Sequence, residues 1–288
     1  MKRILVVALA VLSMNSFAQT VPNKISFKKG QKLEVNTQMN RTSAQELMGQ
    51  SMESSVTSTL TSLFNVEDVA DADASIESSV KRVQFNMSLF GREEKFDSDN
   101  KDDLNSEIGK MMTKTLNDKY KITVDKTGSV KAVAGQDQQA TKKEDDGAAM
   151  MGMLVGKLGP TGTPKAGDPT IFKVLPGKEV SKGETWTDEV KVEGGSTKAH
   201  YTLADITDSE ILIDFTEETQ VQTKQEMMGM EAGIKVLAKT KGKIILDKET
   251  RLLKQKTFET DSEETISAAG QEMPSKSKMT TTILVISI

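Results

Sequence analysis

Thioether sulfur is the most concentrated chemistry in this chain. Sixteen of the 288 residues are Met, and they cluster. Met150-Met151-Gly152-Met153 recurs as Met227-Met228-Gly229-Met230, and Leu47-Met48-Gly49 with Met52 is a looser third copy. Soft thioethers select Cu(I), so such a cluster is a candidate copper site. The same side chain is flexible and polarizable, and it recurs on surfaces that hold varied apolar partners. Neither cluster is reinforced by other soft ligands, because the chain has no Cys and a single His, His200. The apolar reading is therefore preferred. Its candidate ligand-binding residues are Met150, Met151, Leu154, Met227, Met228 and Met230.

Other constellations carry less. The run Asp97-Ser98-Asp99-Asn100-Lys101-Asp102-Asp103 opens like a calcium loop. It departs at Lys101, at Asp102 in place of the turn Gly, and at Ile108 in place of the bidentate Glu. A helix-capping turn is the expected structure there. His200 has no Gly-x-Ser-x-Gly elbow to serve. The adjacent carboxylates Glu217-Glu218 and Glu263-Glu264 point to opposite faces of a strand, so neither is an acid–base pair. Trp186 is expected to anchor the core. These readings point to a protein that is not an enzyme and needs no cofactor, with a hydrolase as the least favoured alternative.

The first residues have the form of a secretory leader: Lys2 and Arg3, an apolar run over 4–12, then Ser16 and Ala18 before a cut that leaves Gln19. The run is too short to anchor in a bilayer, and no later stretch has the length of a transmembrane helix. Export to the periplasm or beyond is expected. Without the leader the chain carries 36 basic and 42 acidic residues, interleaved, so no basic stripe exists for nucleic acid. Zero Cys excludes disulfides, thiol catalysis and Cys-based metal sites. One imidazole makes a zinc enzyme untenable. Aromatics are scarce, with one Trp, two Tyr and nine Phe, which disfavours a sugar-stacking surface.

The elements that must position these residues are strands. Val83, Phe85, Met87 and Leu89 alternate with polar residues, and Ile211, Ile213 and Phe215 alternate with Leu212, Asp214 and Thr216, a period of two. Ile76 and Val80 share one parity whereas Val83 and Phe85 share the other, which predicts either a bulge near Lys81–Arg82 or a strand buried on both sides there. Asp125-Lys126-Thr127-Gly128 predicts a hairpin turn, and Asp247-Lys248-Glu249-Thr250 the same joint without Gly. The apolar close at 283–288 reads as a strand covered on both faces. Two helices are predicted, over 102–116 and 147–158.

Three segments recur in order. Lys29-Gly30-Gln31-Lys32-Leu33 matches Lys182-Gly183-Glu184-Thr185-Trp186. The stretch from Phe64 to Asp71 matches that from Tyr201 to Asp208, and Lys121 to Lys126 matches Lys243 to Lys248. The predicted organisation is a signal peptide over 1–18, a first β-rich unit over 19–135, a connector with a short apolar helix over 136–170, and a second β-rich unit over 171–288. The fold class is mainly β: an antiparallel sandwich or curved, half-barrel-like sheet of two related units with two covering helices.

The exported start, the Lys-Gly-Gln strand, the Met-Gly hairpin tips and the Pro176 … Gly183-Glu184-Thr185-Trp186 segment resemble a family of secreted Bacteroidota proteins classed only as a domain of unknown function. That resemblance implies a β-rich fold and export, and no activity. The expected function is an exported, non-catalytic binding protein for an apolar small molecule or lipid. The alternatives are a structural or adhesion protein of the envelope that binds through strand edges, and Met-based Cu(I) binding.

Overall fold

The structure is a computed structural model that describes residues 20–47, 50–89, 91–117, 119–134, 164–192, 194–227, 230–268 and 271–288. The predicted leader, the predicted helix at 147–158, and Met150, Met151, Leu154 and Met228 lie outside the described residues.

Among the described residues period-two patterning produces a long antiparallel sheet of 12 strands. The first half contributes β2 (Lys32–Leu47), β3 (Gln50–Ala70), β4 (Asp73–Leu89), β5 (Arg92–Asp97), β6 (Lys119–Val124) and β7 (Val130–Ala134). The second contributes β9 (Thr185–Val192), β10 (Gly195–Ile206), β11 (Glu210–Met227), β12 (Met230–Asp247), β13 (Leu253–Ala268) and β14 (Gln271–Ser287). The order across the sheet is β7-β6-β4-β3-β2-β14-β13-β12-β11-β10-β9, with β5 also on β4, so the sheet is open and not closed into a barrel. Two short strands, β1 (Thr20–Val21) and β8 (Val180–Ser181), pair with each other. Of the two layouts expected, the chain adopts the single long sheet.

The duplicated segments occupy corresponding places. Gly30 N–H donates to Val66 O and Val66 N–H to Gln31 O; Gly183 N–H donates to Leu203 O and Leu203 N–H to Glu184 O. Lys29 pairs with Asp68 at 3.0 Å and Lys182 with Asp205 at 2.6 Å. A register shift falls between Val66 and Asp68 in one unit and between Leu203 and Asp205 in the other. Leu33 lies opposite Phe64 as Trp186 lies opposite Tyr201, and both Leu33 and Trp186 are buried. The Asp125 and Asp247 turns complete the correspondence. Asp125 Oδ1 accepts from Thr127 N–H and Ser129 N–H, while Asp247 Oδ1 accepts from Glu249 N–H and Thr250 N–H. Gly128 takes the left-handed backbone at φ 89°; without a Gly, Arg251 takes it at φ 59°.

The predicted bulge is present: Ser62 pairs with Val80 and Thr61 with Arg82, leaving Lys81 as the extra residue. It returns Val83, Phe85 and Met87 to the face that carries Ile76. That face holds the core. At one end Leu203, Ile211, Ile213, Ile244 and Leu246 are sealed by the segments bearing Ile25, Phe27, Phe172 and Leu175. Phe172 sits edge-on to Phe27 and Phe64, with ring centroids 5.3 and 5.8 Å away.

The helix predicted over 102–116 forms as two pieces, α1 (Lys101–Asn105) and α2 (Glu107–Asn117). Ser106 breaks it. Its hydroxyl donates to Asp103 O at 2.6 Å and accepts from Gly109 N–H at 3.1 Å, ending one helix and capping the next. Gly109 is needed at this corner because a Cβ there would lie 2.3 Å from the carbonyl oxygens of Asp103 and Leu104. α2 buries Met112, flanked by Ile108 and Leu116, against Met39, Val83, Phe85, Met87 and Phe96. Leu104 and Met111, which lie four and three residues from Ile108, are exposed. The closing strand also differs from expectation: Ile286 is 51% exposed, because its cross-strand neighbour is Glu34 and nothing described covers that face.

Candidate ligand-binding surface

Antiparallel order sends five hairpin turns to one end of the sheet. Their last pairs are Leu47/Gln50, Leu89/Arg92, Val192/Gly195, Met227/Met230 and Ala268/Gln271. In sequence each turn is two residues ending in Gly: Met48-Gly49, Phe90-Gly91, Glu193-Gly194, Met228-Gly229 and Ala269-Gly270. Gly91 and Gly194 both have φ 79°, the left-handed backbone that favours Gly in tight hairpins. Four of the five strand ends therefore carry an apolar residue beside an apolar turn residue. The opposite end carries the Asp125 and Asp247 turns and the Thr207–Ser209 corner, which are polar, together with the Asp71–Ala72 turn.

Met227 and Met230 are thus a cross-strand pair at the tip of β11–β12. The other candidates, Met150, Met151, Leu154 and Met228, cannot be placed relative to them, since they fall outside the described residues.

Below the tips lies a groove of about 1260 Å³ crossing strands from β4 to β10. Two cross-strand rows line it. One runs Thr42, Lys278, Asp261, Lys239, Glu218, Lys198, and the other Ala44, Lys276, Glu263, Leu237, Gln220. From Lys278 to Lys198 the first row alternates in charge, so neighbouring strands attract across the face. The groove is polar, and among the described residues Leu237 is the one large apolar side chain that lines it. A second groove of about 700 Å³ reaches nearer the tips and includes Gly194, Thr223, Gly233 and Ile234.

The same register brings together residues that no sequence motif joins. Trp186, Tyr201, Phe215 and Phe258 form a row of rings, at centroid spacings of 5.3, 5.9 and 6.2 Å. Lys256 places its ammonium 4.6 Å from the Phe215 centroid and 5.4 Å from that of Phe258. Burial pulls the Lys256 ammonium below the usual lysine range, with Glu217 opposing the shift. Burial pushes the Tyr201 phenol up to about 12, helped by Asp188 and Glu217. Trp186 and Phe215 are buried, so the row is core and not an exposed stacking platform. Its only advance signal was the match of Trp186 to Leu33.

The remaining sequence candidates have structural roles. Arg82 grips both oxygens of Asp97, at 3.1 and 2.6 Å, and holds that carboxyl below its ordinary range. Asp103 accepts the Asp97 N–H at 2.8 Å, and Asn100 caps α1 by accepting from Asp102 N–H. The acidic run is therefore a capping turn. His200 is exposed, with Nδ1 3.0 Å from the Thr187 hydroxyl. No described helix is long and apolar enough to cross a membrane.

Among solved structures the chain is similar to lipovitellin, with 11% identity and a TM-score of 0.48, covering 91% of this chain and 25% of lipovitellin. It is also similar to an outer membrane channel from Pseudomonas putida F1, with 6% identity and a TM-score of 0.23, covering 92% of this chain and 98% of the channel. The chain thus spans about a quarter of the length of lipovitellin. No curated protein matches the chain. A signature described as a family of unknown function, DUF6263, matches residues 71–253, from the turn before β4 into the first residue of β13. The chain belongs to that family of unknown function.

Proposed function

We propose that this chain is an exported, non-catalytic binding protein for an amphipathic, lipid-like ligand. The carrying observation is the placement of the polar groove directly beneath an apolar end. Ala44 and Glu53 line the groove, and Leu47/Gln50, the last pair of the β2–β3 hairpin, lies three residues beyond them. At the rise of a strand that separation is about 10 Å, within the length of an acyl chain. The apolar part of the ligand sits at the hairpin tips and its polar head reaches over the sheet end to the charged rows, which strand alternation places on the face opposite buried Met39 and Phe215. The groove's polar lining disfavours a wholly apolar ligand enclosed within the sheet.

Native mass spectrometry of protein purified from its own host tests this reading, followed by titration of the delipidated protein with lysophosphatidylcholine. Retained lipid mass is expected. It should be lost in a Leu47→Asp/Met227→Asp variant and weakened by Lys276→Glu/Lys278→Glu. Protein that carries no lipid from its host and takes up no lysophosphatidylcholine would overturn it.

A further inference from the structure

We infer that the outer edge of β9 is a self-association surface that joins two copies of this chain through antiparallel β9–β9 pairing. The sheet has two ends. At one, β7 is partly covered: Val130 N–H donates to Asp168 O and Val130 O accepts from Gly167 N–H. The neighbouring short strand β5 is blunted by Arg92, Glu93, Glu94 and Lys95, as edge strands commonly are. At the other end β9 is terminal, and among the described residues nothing pairs with its outer side. Val190 and Val192 there are each 45% exposed.

The backbone direction of that edge follows from the ladder. Leu203 turns both its N–H and its C=O toward Glu184 and Gly183. Alternation then points Tyr201, Ala199 and Thr197 the same way, so their partners Trp186, Asp188 and Val190 face β10. Thr187, Glu189 and Lys191 consequently present their N–H and C=O groups outward. A two-fold axis perpendicular to the sheet at Val190 sets Glu189 opposite Lys191 of the second copy, twice, as hydrogen-bonded pairs of opposite charge. Val190 meets its own symmetry mate, and core face continues into core face. This is the self-complementarity that a closed two-fold interface requires.

The duplication supplies an independent argument for the same edge. The match of Trp186 to Leu33 makes β9 the counterpart of β2 and Val190 the counterpart of Thr37. In the first unit that edge is occupied, since β2 receives β14 with Ile283 opposite Thr37. The second unit presents the same edge open, with an apolar residue where the first unit's edge meets one.

Sedimentation velocity of the mature chain is expected to show a dimer. Lys191→Glu places like charges opposite each other twice and should weaken the dimer at least about tenfold. The swap Glu189→Lys/Lys191→Glu should restore it. Because the chain has no Cys, Val190→Cys introduces a single thiol that should cross-link across the axis on mild oxidation, whereas Val192→Cys, opposite Asp188, should not. A wild-type chain that stays monomeric at about 100 µM, where contacts of millimolar affinity are still unformed, would overturn the inference. So would failure of the swap to rescue, or equal cross-linking of the two Cys variants.

Discussion

Gly242 offers the sharpest test of the register that builds the core. It lies on β12 between Phe215 of β11 and Phe258 of β13. Replacing Gly by Ala inside a strand is ordinarily favourable by about 0.5–1 kcal/mol, because it reduces the freedom of the unfolded chain. Here the added Cβ would lie 2.3 Å from Thr257 O, 2.6 Å from Phe258 Cβ and 2.7 Å from Phe215 Cε1. The first two atoms cannot rotate away, so the backbone of β13 must move. Overpacking of this kind costs about 1–3 kcal/mol. Gly242→Ala should therefore destabilise by about 1–2 kcal/mol, a fall in Tm of several degrees for a domain of this size. Gly233→Ala on the same strand is the control, since its nearest atoms are 3.8 and 3.9 Å away, and it should be neutral or stabilising. Urea unfolding followed by the single Trp, Trp186, reads both. Pairing Gly242→Ala with Phe215→Leu should recover part of the loss through a non-additive term. If Gly242→Ala proves as stable as wild type, the pairing of β12 with its neighbours is wrong.

Deleting Lys81 should be tolerated, because it converts the bulge into a regular ladder without moving Val83 or Phe85 to the other face; deleting Gln84 reverses Phe85 and Met87 relative to Val83 and should abolish cooperative unfolding. Trp186→Phe should cost little, because the buried Trp186 Nε1–H has no hydrogen-bond partner among the described residues, whereas Trp186→Ala should cost about 3–5 kcal/mol, both read by urea midpoints followed by circular dichroism. Burial pushes Asp125 and Asp247 up, but hydrogen bonds from Thr127 and Ser129, and from Thr250 and Glu249, outweigh it and hold both carboxyls low. Depressed folded values mean that this stability is fully present above about pH 4 and is lost as pH falls through them. Asp125→Asn/Asp247→Asn should therefore flatten the decline in urea midpoint between pH 5 and 3.

What was legible in the sequence was local or periodic. Parity alone located the Lys81 bulge, since a one-residue offset cannot keep Ile76 and Phe85 on one face. The Asp turns and the three-part duplication were readable because each is written in consecutive residues. The break at Ser106 was not, because helical spacing continues through it and only the competing hydroxyl hydrogen bonds end the helix. The aromatic row, Lys256 and the charged groove depend on cross-strand register. Phe215 and Phe258 are neighbours through Gly242, which neither residue's own surroundings reveal. The candidate site was read from the Met clusters, and the structure places one pair of them, Met227 and Met230, at a tip. That all five tips share one end follows from strand order and not from any motif.

The duplication also explains why the two units form one sheet. In the first unit β2, β3, β4, β6 and β7 alternate in direction, so β7 runs parallel to β2. The counterparts in the second unit are β9, β10, β11, β12 and β13, and β13 runs the same way as β9 and β2. Two such units laid side by side would meet as parallel neighbours, β13 against β2. The second unit carries one further strand, β14, which turns back from β13 through a two-residue hairpin and meets β2 antiparallel from Leu33↔Ser287 to Gln45↔Ser275. Among the described residues the first unit shows no counterpart of β14; its own addition is the β5–α1–α2 insertion between β4 and β6, which covers the core face. The extra strand seals the inner junction with the same antiparallel ladder used elsewhere, and each unit keeps its buried face on the same side. Stability then comes from long registered ladders and two hydrophobic cores. That suits a chain without disulfides, and it leaves the first strand of the second unit as the place where the pattern could continue.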